Sequence, residues 1–330
     1  MVRVHTLNLE EICLPIKQDL IEVEQVIQNH LNSTVPFVTD VAEYVIRNGG
    51  KRLRPALCLF TSGLAGANGQ KVFDCAAAME FFHTATLMHD DVIDNAKLRR
   101  GKTSANAQWG NHVSVLVGDF FYCQASSLLV GTGNLKIINL ITQAMLATTE
   151  GEILEISKSN DLSTSEEDYL KIITAKTAVL IKASCEIGGI LANISEEYIA
   201  AMGQYGKNLG IAFQLADDVL DYISEEEKFG KMRGTDLKEG KLTLPLIVAL
   251  RHCKDAERRL IQDTLIANST EEGRLREIIS IINQYGGIDY TLKLANSFID
   301  KAKEALTPFK TSIEKEALLS LTSYVIDRNI

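Results

Sequence analysis

Residues 79–94 read MEFFHTATLMHDDVID, and residues 209–221 read LGIAFQLADDVLD. Each stretch is an apolar helical pattern that ends in the same acidic motif, DDxxD. Successive residues of a helix turn by about 100°, so the first, second and last positions of the motif share one patch of the helix surface. The two stretches therefore predict two helices, each of which projects a patch of aspartate side chains.

The aspartates of the two motifs are the candidate metal ligands. A lone DDxxD motif on an exposed helix is most often a solvated acidic turn. Here both motifs follow apolar stretches, and carboxylates on buried helices need cations. Hard oxygen ligands that bridge to phosphate oxygens suit Mg²⁺, so two facing patches predict several Mg²⁺ ions around a diphosphate. The candidate ligands are Asp90, Asp91, Asp94, Asp217, Asp218 and Asp221.

Composition favours an all-helical protein. The chain has 330 residues, enough for one large domain or two ordinary ones, and only five prolines. Strand-like alternation is weak, and no linker, composition shift or repeat divides the chain. We therefore expect a single domain over residues 1–330. The net charge of −9 argues against nucleic acid as a partner.

The acidic net charge and the lack of an evident membrane anchor favour a cytoplasmic location. The six cysteines show no CxxC or metal-ligand spacing, so we expect reduced thiols in the core. Residues 1–20 lack the apolar run of a signal peptide. The most membrane-like stretch, residues 113–130, contains Asp119 and Gln124, which favours a buried core helix over a membrane span.

Glycine pairs and capping residues predict several helix boundaries. Helices are expected to end at Gly49-Gly50, at Gly188-Gly189 and at Gly286-Gly287, and to start at the capping box of Thr164 with Glu167 and at Ser195. The polar segment Ser224–Gly240 is too hydrophilic to pack and is expected to be a mobile loop beside the second acidic motif.

Two basic segments can hold an anion. They read GGKRLRP at residues 49–55 and KLRRGK at residues 97–102, just after the first acidic motif. Arginine offers a planar donor fork and lysine a point charge, and both suit a diphosphate. Either segment alone can also be a set of surface cations at a helix end. Together with the acidic motifs, the segments predict a site for two diphosphates with a metal-rich half and an arginine-rich half.

These residues resemble the trans-isoprenyl (polyprenyl) diphosphate synthases. The motifs span residues 49–245 in that family's order, and residues 324–328 are similar to its C-terminal ending. Among subfamilies the chain is most similar to the bacterial octaprenyl diphosphate synthases, which make the ubiquinone side chain. The motifs are GGKRLRP at 49–55, HTATLMHDDVID at 83–94, RRG at 99–101, KTA at 176–178, FQLADDVLD at 213–221 and GKLTLP at 240–245.

The resemblance implies an all-α fold of the isoprenoid synthase type. Antiparallel helices would form a bundle around a deep central cavity, usually in a homodimer, with both acidic motifs at the cavity mouth. Mg²⁺ would be the cofactor, with about three ions per active site. The direct ligands would be Asp90, Asp94 and Asp217, and Asp91, Asp218 and Asp221 would be close or water-mediated ligands.

The resemblance also implies which side chains hold the two substrates. Isopentenyl diphosphate would be held by Lys51, Arg54, His83 and Arg100, and the allylic diphosphate by Arg99, Lys176 and Lys231, with Lys241 nearby. Thr177 and Gln214 would stabilise the allylic cation through their oxygen dipoles. The polar segment at residues 224–240 would be a lid over the site. It departs from the family at residues 232–233, which read Met-Arg where relatives often have Pro and a small residue, although Lys231 is present.

The implied reaction is the sequential condensation of isopentenyl diphosphate onto an allylic diphosphate, with farnesyl diphosphate as the expected primer. Mg²⁺ and basic residues would stabilise the charge on the departing pyrophosphate, which would then take the C2 proton. No protein nucleophile is required. Closure of the segment at residues 224–240 would keep water from the cation.

Side chains beneath the first acidic motif are expected to set product length. Ala85 and Thr86 lie about 6 to 8 Å below Asp90, at a rise of about 1.5 Å per residue. Small side chains at this depth leave room for a growing tail, so we expect a long product and, from the resemblance, an octaprenyl chain. Alternatively, both residues only allow close helix packing. The residue that closes the far end of the tail cavity is expected within residues 113–130, and the sequence does not identify it.

Other functions remain as alternatives. A synthase of shorter chains, such as geranylgeranyl or farnesyl diphosphate, would share every motif. A class I terpene cyclase generally carries an Asn/Ser/Glu metal motif in place of the second DDxxD. A noncatalytic partner subunit of a heteromeric synthase typically loses an acidic motif, and both are intact here.

Two further expectations concern the histidines and the membrane. His83 and His89 lie close to the carboxylates, but they lack the HExxH spacing, so we expect them to form hydrogen bonds and not to bind zinc. A greasy product implies transient membrane contact at release.

Overall fold

The chain is predominantly helical. Its structure is a computed structural model that describes residues 8–223, 234–266 and 271–327. Most of these residues lie in helices, so the expected all-α class is confirmed. The β structure of the described ranges is one small antiparallel hairpin, in which Leu98 pairs with Thr103 and Arg99 with Lys102.

The elements follow one another along the chain as short and long helices with one hairpin. The first half contains α1 (Leu9–Ile12), a 3₁₀ turn (Leu14–Ile16), α2 (Lys17–Asn29), α3 (Pro36–Arg47), α4 (Leu53–Ala65), α5 (Gln70–Ile93), β1 (Leu98–Arg99), β2 (Lys102–Thr103), α6 (Ala105–Trp109), α7 (Asn111–Gly131) and α8 (Leu135–Ser157). The second half contains α9 (Glu166–Ile173), a π-helical turn (Thr174–Ala178), α10 (Val179–Leu191), α11 (Glu196–Ile223), α12 (Thr235–Lys238), α13 (Leu244–His252), α14 (Asp255–Ile266), α15 (Glu272–Gln284), α16 (Gly287–Ala305) and α17 (Ile313–Asp327).

Backbone contacts divide the chain into two compact units. The first unit comprises Met1–Thr142, Ile181–Gln204 and Leu306–Leu321, and the second comprises Gln143–Leu180, Tyr205–Ala305 and Thr322–Ile330. The single domain expected over residues 1–330 and its deep central cavity stay predictions.

The first unit is built around α5. This helix is buried on nearly all sides, and α2, α4 and α7 pack against it. A helix that is apolar all round belongs in a core, because no face of it can be left in water without cost. The acidic motif occupies the end of this core helix, so its carboxylates lie where the buried helix reaches the surface.

The second unit has its core around α13. Every residue of α13 from Leu244 to Leu250 is buried, and α9, α15 and α16 pack against it. Ile211, Leu215 and Val219 of α11 belong to the same core. Helix α16 begins with Gly287, which packs so closely on α13 that a Cβ atom there would collide with the carbonyl oxygen of Pro245. The apolar face of α11 thus holds the second acidic motif in place.

Helix α7 differs from the buried core helix expected at residues 113–130. One face, which includes Phe121, is buried against the first unit, but Leu116 is 67% exposed and Val130 is 64% exposed on the other. By length and hydropathy alone, α7 is the one helix in the described ranges that could cross a membrane. Asp119 is also exposed on its outward face. The helix is therefore half-buried, with an apolar outer face.

All six cysteines are free thiols, as expected. Cys58, Cys75 and Cys185 are fully buried, and burial raises the pKa of Cys58 to about 12, which keeps the thiol protonated. Cys123 is exposed because it lies on the outward face of α7, so the expectation of a core residue is wrong there.

The capping box before α9 lies one residue later than expected. Ser165 and Asp168 form it, with reciprocal side-chain to backbone hydrogen bonds. Thr164 is not the cap because its hydroxyl donates to the carbonyl of Asp161 at 2.7 Å.

Gly188-Gly189 does not end a helix, since α10 continues to Leu191. Gly188 lies against the backbone of Ser62 in α4, where a Cβ atom would not fit. The glycine pair therefore allows two helices to pack closely. The other expected boundaries, at residues 49–50, 195 and 286–287, are confirmed.

The polar segment expected to be a mobile loop lies partly outside the described residues, which omit residues 224–233. Its remainder contains the single turn of α12.

Candidate active site

The first acidic motif lies at the C-terminal end of α5. Asp90 and Asp91 belong to its last turn, and Asp94 is the C-cap. Asp91 is buried, whereas Asp90 and Asp94 are half-buried. The C-terminus is the negative end of the helix dipole, which adds to the mutual repulsion of the carboxylates. A cation bound here would relieve both effects.

Asp91 is paired with Arg99. The Arg99 atoms Nη2 and Nε lie 2.6 and 2.7 Å from Asp91 Oδ1. Arg99 is carried by β1, and the next two residues, Arg100 and Gly101, have φ angles of 54° and 75°. Positive φ at both central residues is the type I′ turn that closes tight hairpins. The hairpin, which was not expected from the sequence, thereby holds the first arginine against the acidic motif.

His83 of α5 lies close to both basic segments in the first unit. A cavity of about 50 Å³ is lined by His83, Asp91, Arg99 and Arg100, among others. Arg100 donates from Nη1 to the carbonyl of Asn48 at 3.3 Å, which links the hairpin to the segment at residues 49–55. The structure therefore brings together residues that belong to three separate sequence motifs.

The electrostatics of this cavity favour an anion. Burial lowers the pKa of Arg54 to about 10, with Glu80 opposing and Arg100 adding to the shift. Burial and the positive charges of Arg54 and Arg100 hold the pKa of His83 well below its ordinary value, so this imidazole is neutral at neutral pH. Within the described residues, the buried Nε of Arg54 has no hydrogen-bond acceptor. A phosphate oxygen would supply one.

Glu80 was not predicted from the sequence. It is buried on α5, and its Oε1 accepts a hydrogen bond from Arg52 Nη1 at 2.7 Å. Arg52 also contacts Glu24, with 2.5 Å between Nε and Oε1, and adopts a left-handed backbone conformation at the start of α4. The pair anchors the basic segment between Lys51 and Arg54. The one glutamate in the apolar run at residues 76–82 was the available signal.

Ala85 and Thr86 lie about one turn before the acidic motif. Ala85 is 1% exposed, and the half-buried Thr86 donates from Oγ1 to the carbonyl of His83 at 2.9 Å. Phe82 makes an edge-on contact with Tyr122 of α7, with 5.0 Å between ring centroids. Along this part of α5, the aromatic side chains at residues 81–82 are thus followed by small side chains at residues 84–86.

His89 forms hydrogen bonds, as expected. Its Nε2 lies 3.2 Å from the carbonyl of Val115 and 3.4 Å from Oδ1 of Asp119. Gly118 lies so close to the imidazole that a Cβ atom would not fit. The ring is therefore held against α7. Trp109 is half-buried and Tyr122 is 39% exposed.

The second acidic motif has three different environments on α11. Asp217 is exposed, Asp218 is 3% exposed, and Asp221 is half-buried. Asp218 accepts hydrogen bonds from Tyr169 Oη at 2.5 Å and from Gln214 Nε2 at 2.7 Å. Burial raises its pKa to about 7, although the two hydrogen bonds act in the opposite direction. Both carboxylate oxygens of Asp218 therefore accept a hydrogen bond from a protein side chain.

The described chain after residue 233 lies against this motif. The backbone N–H groups of Thr235 and Asp236 donate to the two carboxylate oxygens of Asp221 at 3.1 and 3.2 Å. Burial, together with Asp221 and Asp218, raises the pKa of Asp236 well above its ordinary value. Asp236 was not predicted as a site residue, because its proximity to the motif depends on the path of the chain.

Lys176 lies on the π-helical turn between α9 and α10. π-helical turns are rare and are often found at functional sites. Its Nζ lies 2.9 Å from Glu152 and 2.5 Å from Glu155. Burial opposes the charge of Lys176, but the two carboxylates outweigh it and raise the pKa. Lys241 lies 4.0 Å from the same Glu155 and 2.8 Å from Glu239. Glu155 therefore lies beside both lysines.

The predicted residues fall into two groups. The first acidic motif and both basic segments belong to the first unit, and the second motif belongs to the second unit with Lys176, Thr177 and Lys241. Thr177 Oγ1 donates to Gln214 Oε1 at 2.9 Å. Lys231 lies outside the described residues. Glu152, Glu155 and Tyr169 carried no motif and were not predicted.

The donor chemistry of the motifs fits a hard divalent cation. Residues 8–223, 234–266 and 271–327 contain no cluster of His, Cys, Asp or Glu side chains that would form a complete metal site alone. Mg²⁺ commonly binds through one or two carboxylates, with water and phosphate oxygens in its other positions. Half-buried Asp90 and Asp94 and exposed Asp217 suit that mode better than the enclosed Asp218.

Similarity to known proteins extends over nearly the whole chain. Residues 35–282 match the profile of the family described as polyprenyl synthetase. The chain is 38% identical over 323 residues to the octaprenyl diphosphate synthase of Escherichia coli (strain K12), which covers 98% of this chain and 100% of that protein. It is 37% identical to an all-trans-nonaprenyl-diphosphate synthase (geranyl-diphosphate specific) of Rhodobacter capsulatus, with 97% and 98% covered.

A solved structure agrees. The polyprenyl synthase of Caulobacter crescentus CB15, complexed with calcium and isoprenyl diphosphate, has a TM-score of 0.94 and 39% identity, and the match covers 98% of this chain and 99% of that one. The fold and the matched sequence define an all-α prenyltransferase of isoprenoid biosynthesis. The chain belongs to the polyprenyl synthetase family.

Proposed function

We propose that this chain is an octaprenyl diphosphate synthase that adds isopentenyl diphosphate units to farnesyl diphosphate. The observation that carries the proposal is the presence of both acidic motifs and both basic segments in a chain that matches the Escherichia coli octaprenyl diphosphate synthase from end to end. Neither motif is degraded, which argues against a noncatalytic partner subunit. The product would supply the side chain of a quinone.

The two substrates are assigned to different side chains. Lys51, Arg54, His83 and Arg100 hold isopentenyl diphosphate, and the buried Nε of Arg54 that lacks an acceptor supports this assignment. Arg99, Lys176, Lys231 and Lys241 hold the allylic diphosphate. Because Lys176 pairs with two carboxylates of the protein, the diphosphate replaces existing ionic partners there.

The metal in this proposal is Mg²⁺, about three ions per active site. When bound, it supplies positive charge that stabilises the departing pyrophosphate. Asp90, Asp94 and Asp217 hold it directly, and Asp91, Asp218 and Asp221 act from the next layer. The protein-bonded carboxylate of Asp218 supports this division.

In the proposed reaction the C–O bond of the allylic diphosphate breaks, and the double bond of isopentenyl diphosphate attacks the allylic carbon. The pyrophosphate then removes the C2 proton, so the protein supplies binding, orientation and charge. The oxygen atoms of Thr177 and Gln214 face the allylic cation. His83 is neutral and can donate or accept a hydrogen bond without adding charge.

Product length is proposed to be eight isoprene units. Ala85 is a small, buried residue about one turn from the motif, which supports an open path for the tail. The nonaprenyl synthase of Rhodobacter capsulatus, at 37% identity, favours a nonaprenyl product as the second candidate.

The active unit is proposed to be a homodimer in the cytoplasm that touches the membrane at product release. The outward apolar face of α7 supports self-association, because exposed side chains such as Leu116 and Val130 cost free energy in water. A second copy that covers this face would bury them.

One experiment tests the reaction and the product length together. The purified chain is incubated with labelled isopentenyl diphosphate, farnesyl diphosphate and Mg²⁺, and the dephosphorylated products are separated by reversed-phase chromatography. Octaprenol as the main product is the expected result. Products of twenty carbons or fewer would refute the long-chain assignment, and no product at all would refute the synthase activity of the isolated chain.

A further inference from the structure

Three hydrogen bonds join four side chains of the second unit. Tyr169 Oη donates to Asp218 Oδ2 at 2.5 Å, and Gln214 Nε2 donates to Asp218 Oδ1 at 2.7 Å. Thr177 Oγ1 donates to Gln214 Oε1 at 2.9 Å. Asp218 therefore receives one donor on each oxygen, and the Gln214 amide is used at both ends.

The four residues come from three elements. Tyr169 lies on α9, Thr177 on the π-helical turn, and Gln214 and Asp218 one turn apart on α11. Tyr169 and Asp218 are each only 3% exposed. A buried carboxylate with a donor on each oxygen has little freedom to rotate, because either rotation would leave a buried polar group unpaired.

The direction of the hydrogen bonds is dictated by chemistry. The Gln214 NH₂ group donates to Asp218, so the amide presents its carbonyl to Thr177. The carbonyl in turn only accepts, so the Thr177 hydroxyl spends its single proton on Gln214. The lone pairs of the Thr177 oxygen are then left to point elsewhere. The orientation of one hydroxyl thus depends on a tyrosine two partners away.

We propose that Tyr169 is a positioning residue that acts through Asp218 and Gln214 on the Thr177 hydroxyl. The inference rests on the proposed function, in which the Thr177 and Gln214 oxygens face the allylic cation. With the proton held by Gln214, the oxygen presents its negative end to the developing positive charge. If the chain of bonds is broken, the hydroxyl can rotate its proton toward the cation, which opposes ionisation.

The test is a double-mutant cycle between Tyr169→Phe and Thr177→Val. Tyr169→Phe removes a single oxygen atom and is expected to lower kcat about tenfold, while KM for farnesyl diphosphate changes less than about twofold. Thr177→Val removes the hydroxyl that is being oriented. In the Thr177→Val background, Tyr169→Phe is expected to lower kcat less than about twofold, because the hydroxyl that Tyr169 would orient is already absent.

A matched control separates this effect from general loss of a tyrosine hydrogen bond. Tyr285 Oη donates to Glu257 at 2.7 Å, also in the second unit. Tyr285→Phe is expected to leave kcat and KM unchanged. Thermal melting of each variant shows whether it folds.

If a variant does not fold, a measurement on the unsubstituted protein still tests the inference. The side-chain amide protons of Gln214, observed by NMR, are expected to exchange with solvent more than about tenfold slower than those of an exposed glutamine. Exchange at the exposed rate would overturn the inference, since the amide would then not be held.

The remaining outcomes are decisive as well. An unchanged kcat, a rise in KM alone, or an equal kcat effect of Tyr169→Phe in both backgrounds would each overturn the positioning role while the synthase activity stands. An unsubstituted chain that makes no prenyl product would overturn the proposed function and this inference together.

Discussion

Arg99 holds Asp91 through two guanidinium nitrogens, at 2.6 and 2.7 Å, and the carboxylate it holds is 3% exposed. The arginine therefore has an ionic partner within the protein, although the proposed function assigns it to the allylic diphosphate. An arginine that neutralises a buried aspartate contributes to stability. The same arginine can also bind a diphosphate only if the guanidinium N–H groups that do not face the aspartate remain accessible. The Arg99 side chain is 36% exposed, so it can serve both purposes.

Replacing Arg99 is expected to destabilise the fold. Arg99→Met leaves a buried carboxylate unpaired, and we expect a loss of about 2 kcal/mol, reduced from the full penalty because the arginine is partly exposed. Urea denaturation followed by circular dichroism measures it. Arg47→Met is the matched control, since Arg47 pairs with Glu43 at 2.6 Å but is 72% exposed. That variant should lose less than about 0.5 kcal/mol, and equal losses would contradict the argument.

The protonation of His83 is expected to report on the basic pocket. Its pKa lies well below 6.5, so the folded chain binds fewer protons than the unfolded chain. The stability associated with His83 is therefore complete above pH 6.5 and is lost progressively as the pH falls from 6.5 toward the lower pKa of the folded chain. An anion among the arginines would offset their charge and raise the pKa.

NMR of the imidazole tests this directly. In the free protein, the His83 resonance, assigned by comparison with His83→Gln, should not titrate between about pH 6 and 8. Saturation with isopentenyl diphosphate in metal-free buffer should move its midpoint upward. A midpoint near 6.5 in the free protein, or no shift on binding, would count against a pocket of buried arginines around His83.

Product length should respond to Ala85. This residue is 1% exposed, so Ala85→Phe must push its ring into the space beside α5 or disturb the packing, at a cost of about 1 to 3 kcal/mol. We expect shorter products from the folded variant, and Ala85→Ser, which is close in size, should keep the original length. Chromatography of the dephosphorylated products distinguishes them. The same chain length from Ala85→Phe and the unsubstituted protein would defeat the idea of a tail path beneath the motif.

The outward face of α7 should control self-association. Leu116 is 67% exposed, and Leu116→Glu would place a charge in the centre of a dimer contact formed by this face. Analytical ultracentrifugation should show a dimer for the unsubstituted chain and a shift toward monomer for the variant. Ile313→Glu is the control, because Ile313 is 65% exposed on a different helix. A variant that remains fully dimeric would place the contact elsewhere.

The helices and both acidic motifs were predictable because their signals are local. Apolar periodicity and the DDxxD spacing depend on neighbours within two helical turns, and the structure confirms the helices that carry them. The break at residues 49–50 was readable for the same reason. Gly188-Gly189 misled because a glycine pair can serve close packing against α4 as well as termination.

Contacts between distant segments could not be predicted in this way. Glu152 and Glu155 lie more than twenty positions before Lys176, and Tyr169 lies 49 positions before Asp218. Only the fold brings them together. The π-helical turn that carries Lys176 has no established sequence signal either. It is a single turn with i→i+5 hydrogen bonds between two α-helices, and it leaves the apolar pattern of the sequence nearly unchanged. The hairpin was missed although Arg100-Gly101 resembles the residues that tight turns favour.

The most direct test of the account is the rate at which labelled isopentenyl diphosphate is incorporated onto farnesyl diphosphate by the unsubstituted chain and by the Asp90→Ala, Asp217→Ala double variant. With Mg²⁺ present, the unsubstituted chain should form long-chain product, and both removal of divalent ions by a chelator and the double substitution should lower the rate at least about a thousandfold. Circular dichroism of the double variant checks that it is folded. Undiminished incorporation after either change would contradict the claim that aspartate-bound Mg²⁺ drives departure of the pyrophosphate.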